Sequence, residues 1–209
     1  MGAKDDPPKD DPPGAGGQEQ GRRGEKPLLM VDIDGVISLF GFPGGPPWRG
    51  WHGAEGATPA GIGEGNGGAG SVHAIDGVPH FLSREAATHL LELERDFELV
   101  WASGWEEKAD EYLPYLLGLP RGLPHLRFER DGMARAANAH WKLTAIEAHA
   151  GARALAWIDD SFDGECHEWA KRRGAPTLLV ETAAERGLTG VEAEVLREWA
   201  QALAGVPRP

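Results

Sequence analysis

Two carboxylates that follow a short apolar run are the residues whose spacing most clearly indicates chemistry in this chain. Residues 28–31, Leu-Leu-Met-Val, are typical of a buried strand, and Asp32 and Asp34 come directly after them with Ile33 in between. Because successive side chains of an extended chain point to opposite faces, both carboxylates lie on one face at the carboxyl end of the strand. Like charges at this distance raise each other's pKa, so the pair predicts a bound divalent metal, a shared proton, or both.

The same Asp-Xaa-Asp-Gly pattern also occurs in calcium-binding loops and in solvated turns. A helix-loop-helix calcium site requires a Glu at its twelfth position, whereas the twelfth residue counted from Asp32 is Pro43. The strand character of the preceding residues also argues against such a loop. A chemically active strand end is therefore the favoured interpretation.

Composition sets the domain organisation. The chain has 209 residues, of which 41% are hydrophobic, and this suits one sizeable core better than two. Residues 1–27 are rich in Pro, Gly and charge and contain no large apolar residue after Met1, so we predict a disordered tail there. Residues 28–209 are predicted to form a single domain.

Several classes of protein are disfavoured. The first apolar run is too short for a secretory signal and no apolar run reaches 18 residues, so we expect neither a signal nor a membrane span. The one cysteine, Cys166, excludes an internal disulfide and a cysteine-rich zinc site, and favours a cytoplasmic protein. A net charge of -12 argues against general nucleic-acid binding.

Strand and helix patterns alternate from residue 28 onward. This alternation, with apolar strands, predicts an α/β domain of the three-layer Rossmann-like kind, in which helices cover both faces of a central parallel sheet. A short extended piece at 78–82 closes a Gly-rich insertion at 38–82, which we expect to form a flap. The predicted strands are 28–33, 98–102, 154–158 and 177–180, and the predicted helices are 83–95, 105–117, 139–150, 165–173 and 190–203.

Ligands of such sheets bind at the carboxyl ends of the strands. Besides the pair at Asp32, two predicted strands end in polar groups, Ser103-Gly104 and Asp159-Asp160, and Lys142 lies between them in the chain. Each has a structural alternative, because serine and aspartate commonly cap helices and a lone lysine is commonly a surface residue. Their order along one sheet favours a shared site.

That order resembles the four motifs of the haloacid dehalogenase superfamily of phosphohydrolases, over about residues 28–182. The stretches that carry the resemblance are Asp-Ile-Asp-Gly-Val at 32–36, Val-Trp-Ala-Ser-Gly-Trp at 100–105, Lys142, and Ile-Asp-Asp at 158–160. The Trp-Ala-Ser-Gly-Trp and Trp-Ile-Asp-Asp segments are similar to a small capless branch that is also found as a domain in multidomain RNA-repair proteins.

The resemblance implies a phosphatase mechanism with a role for each motif. Asp32 would attack phosphorus and form an aspartyl-phosphate, and Asp34 would act as general acid and then general base. Ser103 and the backbone N–H groups of Gly104 and Trp105 would hold the phosphoryl group, together with Lys142, which also neutralises charge. The implied cofactor is Mg²⁺, held by Asp32, the Asp34 backbone carbonyl and Asp159, with Asp160 as a further ligand.

The substrate is the least determined part of this hypothesis. Residues 106–141 are too few for a large cap domain, so we expect an open site for a phosphorylated small molecule, a nucleotide or a nucleic-acid end. Trp48, Trp51 and Trp105 could stack on a base, or Trp105 could pack the second helix onto the sheet. The alternative function is a catalytically idle binding module with the same fold.

Overall fold

The computed structural model describes residues 26–40, 70–128 and 138–205. Most of the predicted tail, residues 1–25, lies outside the described residues, as does the stretch 41–69 that contains Trp48 and Trp51. Lys26 and Pro27 join the folded part, since the Pro27 carbonyl accepts a hydrogen bond of 3.0 Å from Glu98 N. Within the described ranges, no helix is both long and apolar enough to cross a membrane.

The described ranges contain seven strands, five α-helices and one 3₁₀ turn. The strands are β1 Leu28–Val31, β2 Ser38–Leu39, β3 Gly70–Ile75, β4 Val78–Ser83, β5 Glu98–Trp101, β6 Leu155–Asp159 and β7 Thr177–Glu181. The helices are α1 Arg84–Leu93, α2 Lys108–Leu117, α3 Leu143–Ala150, α4 Gly164–Arg172 and α5 Gly190–Ala204, and the 3₁₀ turn is Ala139–Lys142.

The main sheet is parallel and has the order β5-β1-β6-β7. Val31 at the end of β1 lies opposite Trp101 of β5 on one side and Ile158 of β6 on the other. The chain therefore leaves β1 to build one flank of the sheet and then crosses to build the other. The predicted α/β class with a parallel sheet is confirmed, and the carboxyl end of β1 is the point where strand order reverses, which is where ligands bind in open sheets of this kind.

Alternate residues of β1 belong to two different apolar clusters. Leu29 and Val31 pack in one cluster with residues of α1, α2 and α5, whereas Leu28 and Met30 pack in the other with residues of α3 and α4. All four side chains are completely buried. The alternation of an extended chain explains this division and the continuous apolar sequence of the strand. Asp32 directly follows this fully packed strand and is fixed by it.

A second, antiparallel sheet has the order β2-β4-β3 and forms the described ends of the predicted flap. We expected only an extended piece at 78–82, so β2 and β3 are additions to the prediction. Asp76 and Gly77 connect β3 to β4, and both have positive φ angles, of 51° and 79°. An Asp-Gly pair between two alternating runs is a strong hairpin signal, which could have predicted this element.

The N-caps of the helices show whether the polar residues at the strand ends serve only as helix caps. Asp163 caps α4 by accepting a 3.1 Å hydrogen bond from Cys166 N, so neither Asp159 nor Asp160 is the cap. The predicted helix at 105–117 begins only at Lys108, because residues 104–107 form a turn, and its N-cap is Glu107 and not Ser103. The predicted helix at 139–150 begins with the 3₁₀ turn.

Candidate active site

Asp32 is held at the end of β1 by contacts to both of its carboxylate oxygens. Its backbone N–H donates to Ile158 O at 3.0 Å, which continues the pairing with β6. Its Oδ1 accepts a 2.8 Å hydrogen bond from Ile33 N, and its Oδ2 lies 2.7 Å from Lys142 Nζ. The side chain is only 10% exposed, and within the described ranges Lys142 is its direct counter-charge.

Lys142 is a buried residue, and the alternative of an ordinary surface lysine is wrong. Its Nζ lies 2.7 Å from Asp159 Oδ2 as well as 2.7 Å from Asp32 Oδ2, while only 3% of the residue is exposed. The 3₁₀ turn that carries it is fixed by a 2.8 Å hydrogen bond from Ala139 N to Ser161 O. Burial disfavours the ammonium, but the charges of the two aspartates outweigh burial and raise the pKa of Lys142. It is therefore a cation shared by two strand ends.

Three carboxylates form a cluster around this end of the sheet. Oxygens of Asp32, Asp159 and Asp160 lie within 4.8 Å of one another. Asp159 is fully buried, and its Oδ1 accepts hydrogen bonds from Ser161 N at 3.2 Å and Ser161 Oγ at 3.1 Å. Burial, together with the charges of Asp159 and Asp32, raises the pKa of Asp160 to about 6. Three acids against one lysine leave an excess of negative charge.

This cluster fits a divalent cation. All three donors are carboxylate oxygens, which hard cations such as Mg²⁺ and Ca²⁺ prefer. A bound divalent cation would oppose the burial and the neighbouring charges that raise the pKa of Asp160, and would so favour its ionised form. The donor set suits Mg²⁺ without singling it out among hard cations.

Asp34 has different surroundings from Asp32. Among the described residues, the carboxylate cluster does not include Asp34, whose Oδ2 instead accepts a 3.0 Å hydrogen bond from Trp105 Nε1. Burial and then the charge of Asp32 raise the pKa of Asp34 to about 6, although the indole hydrogen bond opposes this shift. β1 ends at Val31, so both acids lie beyond the strand that was predicted to extend to Ile33. Asp34 is close enough to Asp32 for the Asp32 charge to raise its pKa, but it has its own hydrogen-bond partner in Trp105.

Gly35 allows the chain to turn tightly beneath Asp160. Its φ of 75° is in the left-handed region, and its carbonyl accepts a 2.8 Å hydrogen bond from Thr182 Oγ1. A Cβ atom at this position would overlap the carboxylate of Asp160. The glycine that follows the acid pair therefore suits both the left-handed backbone and the close approach of the Asp160 carboxylate.

Gly35→Ala is expected to weaken Mg²⁺ binding by about tenfold or more, because the new methyl group displaces Asp160. Gly77→Ala is the matched control. Gly77 has a similar φ of 79°, but a Cβ there meets no atom of the described residues within 4 Å. Both variants carry about 1 to 2 kcal/mol of backbone strain. Titration of each folded variant with Mg²⁺ by calorimetry separates the two effects, and equal affinities would show that Asp160 does not bind the metal.

The predicted phosphoryl-binding segment, residues 103–105, lies at the same edge of the sheet as this cluster. Ala102 N donates to Val31 O at 2.8 Å, which extends the pairing of β1 and β5 up to the segment Ser103-Gly104-Trp105. Ser103 is 1% exposed, and its carbonyl accepts a 3.0 Å hydrogen bond from Glu106 N. Folding brings this segment to the same edge of the sheet as Asp32, and its contact with a phosphoryl group stays a prediction.

His80 is a neighbour of the site that sequence reasoning missed. The eight histidines of the chain lack metal-ligand spacing, so the sequence alone favours surface or packing roles for them. His80 Nδ1 lies 3.8 Å from Asp34 Oδ1 and 2.9 Å from Ser38 Oγ, and its ring packs edge-to-face on Trp105. Burial lowers the pKa of His80, which favours the neutral ring. The Asp-Gly hairpin signal could have predicted β4, but not that His80 on this strand lies beside Asp34.

Lys142, Asp159 and Asp160 therefore meet Asp32 at one end of the sheet, and Trp105 meets Asp34 there. No family model, curated protein or solved structure matches this chain. The resemblance to the haloacid dehalogenase superfamily consequently stays a prediction that depends on the four motifs and on their arrangement in this fold.

Proposed function

We propose that this chain is a Mg²⁺-dependent phosphohydrolase that cleaves phosphate monoesters through an aspartyl-phosphate on Asp32. The observation that carries the proposal is the buried contact of Lys142 with both Asp32 and Asp159 at the end of the central strand, next to Asp160. A fixed carboxylate, a shared cation and two further oxygen ligands together suit attack on an anionic phosphate. The three-layer Rossmann-like fold and membership of the haloacid dehalogenase superfamily belong to the same proposal.

Asp32 is the nucleophile in this mechanism. One of its oxygens forms a bond to phosphorus while the bond from phosphorus to the leaving oxygen breaks, which produces the aspartyl-phosphate. Lys142 neutralises charge on the Asp32 carboxylate and on the phosphoryl oxygens. Without this cation, the attacking carboxylate and the phosphate would repel each other. Ser103 and the backbone N–H groups of Gly104 and Trp105 hold the transferring group.

Asp34 moves the protons of both steps. Its pKa of about 6 allows it to donate a proton to the leaving oxygen in the first step. The resulting carboxylate then takes a proton from the water that attacks the aspartyl-phosphate, which releases inorganic phosphate and regenerates both aspartates. A different environment for each acid supports this division of roles.

Asp32, the Asp34 backbone carbonyl, Asp159 and Asp160 would hold the Mg²⁺ ion. When bound, the ion offsets the negative charge that develops on the phosphoryl oxygens. We propose a nucleotide or a nucleic-acid end as the substrate class, with small phosphate esters as the alternative. The capless character expected from the sequence supports access of such large substrates.

Phosphate release from a panel of monoesters tests the proposal. The panel contains an aryl phosphate, oligonucleotides phosphorylated at the 3′ or the 5′ end, and small sugar phosphates, each assayed with Mg²⁺ and with a chelator. We expect release that depends on Mg²⁺. Absence of release from every substrate with Mg²⁺ present would favour the idle binding module, and indifference to the oligonucleotides would remove the nucleic-acid end as substrate.

A further inference from the structure

Three side chains surround the carboxylate of Asp34, and we call them the Asp34 clamp: Trp105, His80 and Ser38. Trp105 Nε1 donates a 3.0 Å hydrogen bond to Asp34 Oδ2. The His80 ring packs edge-to-face on the indole, with 4.9 Å between ring centroids and 72° between ring planes. Ser38 Oγ lies 2.9 Å from His80 Nδ1 and so fixes the orientation of the imidazole. The clamp thus joins the small antiparallel sheet to the acid pair.

The small sheet is itself anchored next to Trp105. Asp76, in the turn between β3 and β4, forms an ion pair with Lys108 and accepts a 3.2 Å hydrogen bond from Tyr112 Oη. Lys108 and Tyr112 belong to α2, which begins three residues after Trp105. Contacts at the turn therefore hold His80 and Trp105 in one arrangement.

An unusual backbone turn follows Trp105. Glu106 has a φ of 49°, in the left-handed region that residues other than glycine seldom adopt. The residue is 7% exposed, and its Oε1 accepts a 3.0 Å hydrogen bond from Phe128 N. Its backbone N–H is bonded to Ser103 O at 3.0 Å. The chain thus keeps a disfavoured conformation at the residue that follows Trp105.

We propose that Trp105 is a positioning residue, braced by His80 and Ser38, that fixes the Asp34 carboxylate for proton transfer to the leaving group. This role rests on the proposed phosphohydrolase function. It differs from the stacking role that the sequence suggested for the Trp105 side chain, because the indole N–H is directed at a protein carboxylate.

Two properties of the contact explain why Asp34 needs such a clamp. The Oδ1 atom of Asp34 is buried but the side chain as a whole is 45% exposed, so packing alone does not fix the orientation of the carboxylate. Proton transfer requires the acid within about 2.6 to 3.2 Å of the leaving oxygen. An indole N–H can only donate, so it binds one carboxylate oxygen and restricts rotation without competing for the proton. The clamp therefore fixes the orientation of the Asp34 carboxylate.

Trp105→Phe tests the proposal, because it keeps an aromatic ring and removes the donor. The measurement is kcat/KM for an aryl phosphate and for an alkyl phosphate, since this parameter reports the steps up to departure of the leaving group. A good aryl leaving group needs little protonation, whereas an alkyl leaving group needs much. We expect kcat/KM to fall by about tenfold or more for the alkyl ester, and to stay within about threefold of the wild-type value for the aryl ester.

Other roles of Trp105 predict different patterns. Loss of stacking on substrate would reduce kcat/KM more for the aryl ester, and a purely structural role would reduce both equally, so either result overturns the proposal. Trp199→Phe is the matched control. Trp199 stacks on Phe97, packs against the core and belongs to α5. We expect the ratio of the two kcat/KM values to stay at the wild-type value in this variant.

A double-mutant cycle shows whether Trp105 acts through Asp34. In Asp34→Asn, adding Trp105→Phe should change the leaving-group ratio no further, and an additional change would overturn the positioning role. His80→Ala provides a second variant should Trp105→Phe fail to fold, and we expect a smaller change in the same direction. If wild type releases no phosphate, the proposed function fails and the positioning role fails with it. If wild type is active and the ratio stays constant in folded variants, only the positioning role fails.

Discussion

Asp32→Asn is expected to reduce phosphate release by roughly 10³-fold or more, because an amide oxygen cannot replace the carboxylate as nucleophile. The substitution keeps the size of a side chain that is 10% exposed and packed between Ile33 N and Lys142. The fold should therefore persist, which circular dichroism checks. The rate is measured with an aryl phosphate in saturating Mg²⁺.

Acid quenching adds a direct readout of the intermediate. Wild type should carry a phosphoryl group on Asp32, which intact-mass measurement detects, and Asp32→Asn should not. Asp34→Asn should still accept the group from an aryl ester but release it slowly, so the phosphorylated form should accumulate. Asp96→Asn, in the turn after α1, is the matched control and should behave as wild type. Equal activity of Asp32→Asn and wild type would exclude the aspartyl-phosphate mechanism.

Lys142→Met is expected to lower the free energy of unfolding of the metal-free protein by about 3 to 5 kcal/mol at neutral pH. Asp159 has 0% and Asp32 10% of its side chain exposed, and both would lose the cation that lies 2.7 Å away. Methionine has a similar length, so packing is largely kept. A loss of this size is a large fraction of the stability of a single domain.

Mg²⁺ should recover much of this loss, because the cation supplies positive charge to the same carboxylates. Chemical denaturation with and without Mg²⁺ measures both effects, and phosphate release should stay low even with metal present. Lys171→Met is the control. Lys171 on α4 has a side chain that is 70% exposed, and its ion pair with Glu168 lies at the protein surface. A free energy of unfolding of Lys142→Met within about 1 kcal/mol of wild type would show that the buried contact does not stabilise the fold.

The parts of this site that follow strands could be predicted from the sequence. Residues 28–31 are apolar throughout, so β1 and the place of Asp32 after it follow from the pattern, although the strand ends at Val31 and not at Ile33 as predicted. The place of Asp159 and Asp160 at the end of β6 follows from the pattern in the same way. Parallel strands bring these ends to one edge, and the structure places Asp32, Asp159 and Asp160 within reach of one ion.

Other parts depend on contacts that no local pattern reveals. Lys142 lies in a 3₁₀ turn of four residues, and its burial follows from the turn being bonded to Ser161. The different surroundings of Asp34 come from Trp105, 71 positions further along the chain, and from His80 on a strand of the second sheet. Alternation predicted that the two acids share a face, but long-range packing gives each its own partner.

Because β1 lies inside the main sheet, the site can form only when the strands on both sides of β1 have folded. Its four contributing segments, which carry Asp32, Ser103, Lys142 and Asp159, meet only after strands on both flanks have paired with β1. Such non-local parallel pairing is slow, because the chain loses loop-closure entropy before the contacts form. A partly folded or proteolysed chain is therefore expected to lack the proposed Mg²⁺ affinity and the proposed activity. Binding of Mg²⁺ would in turn protect all four segments together from proteolysis.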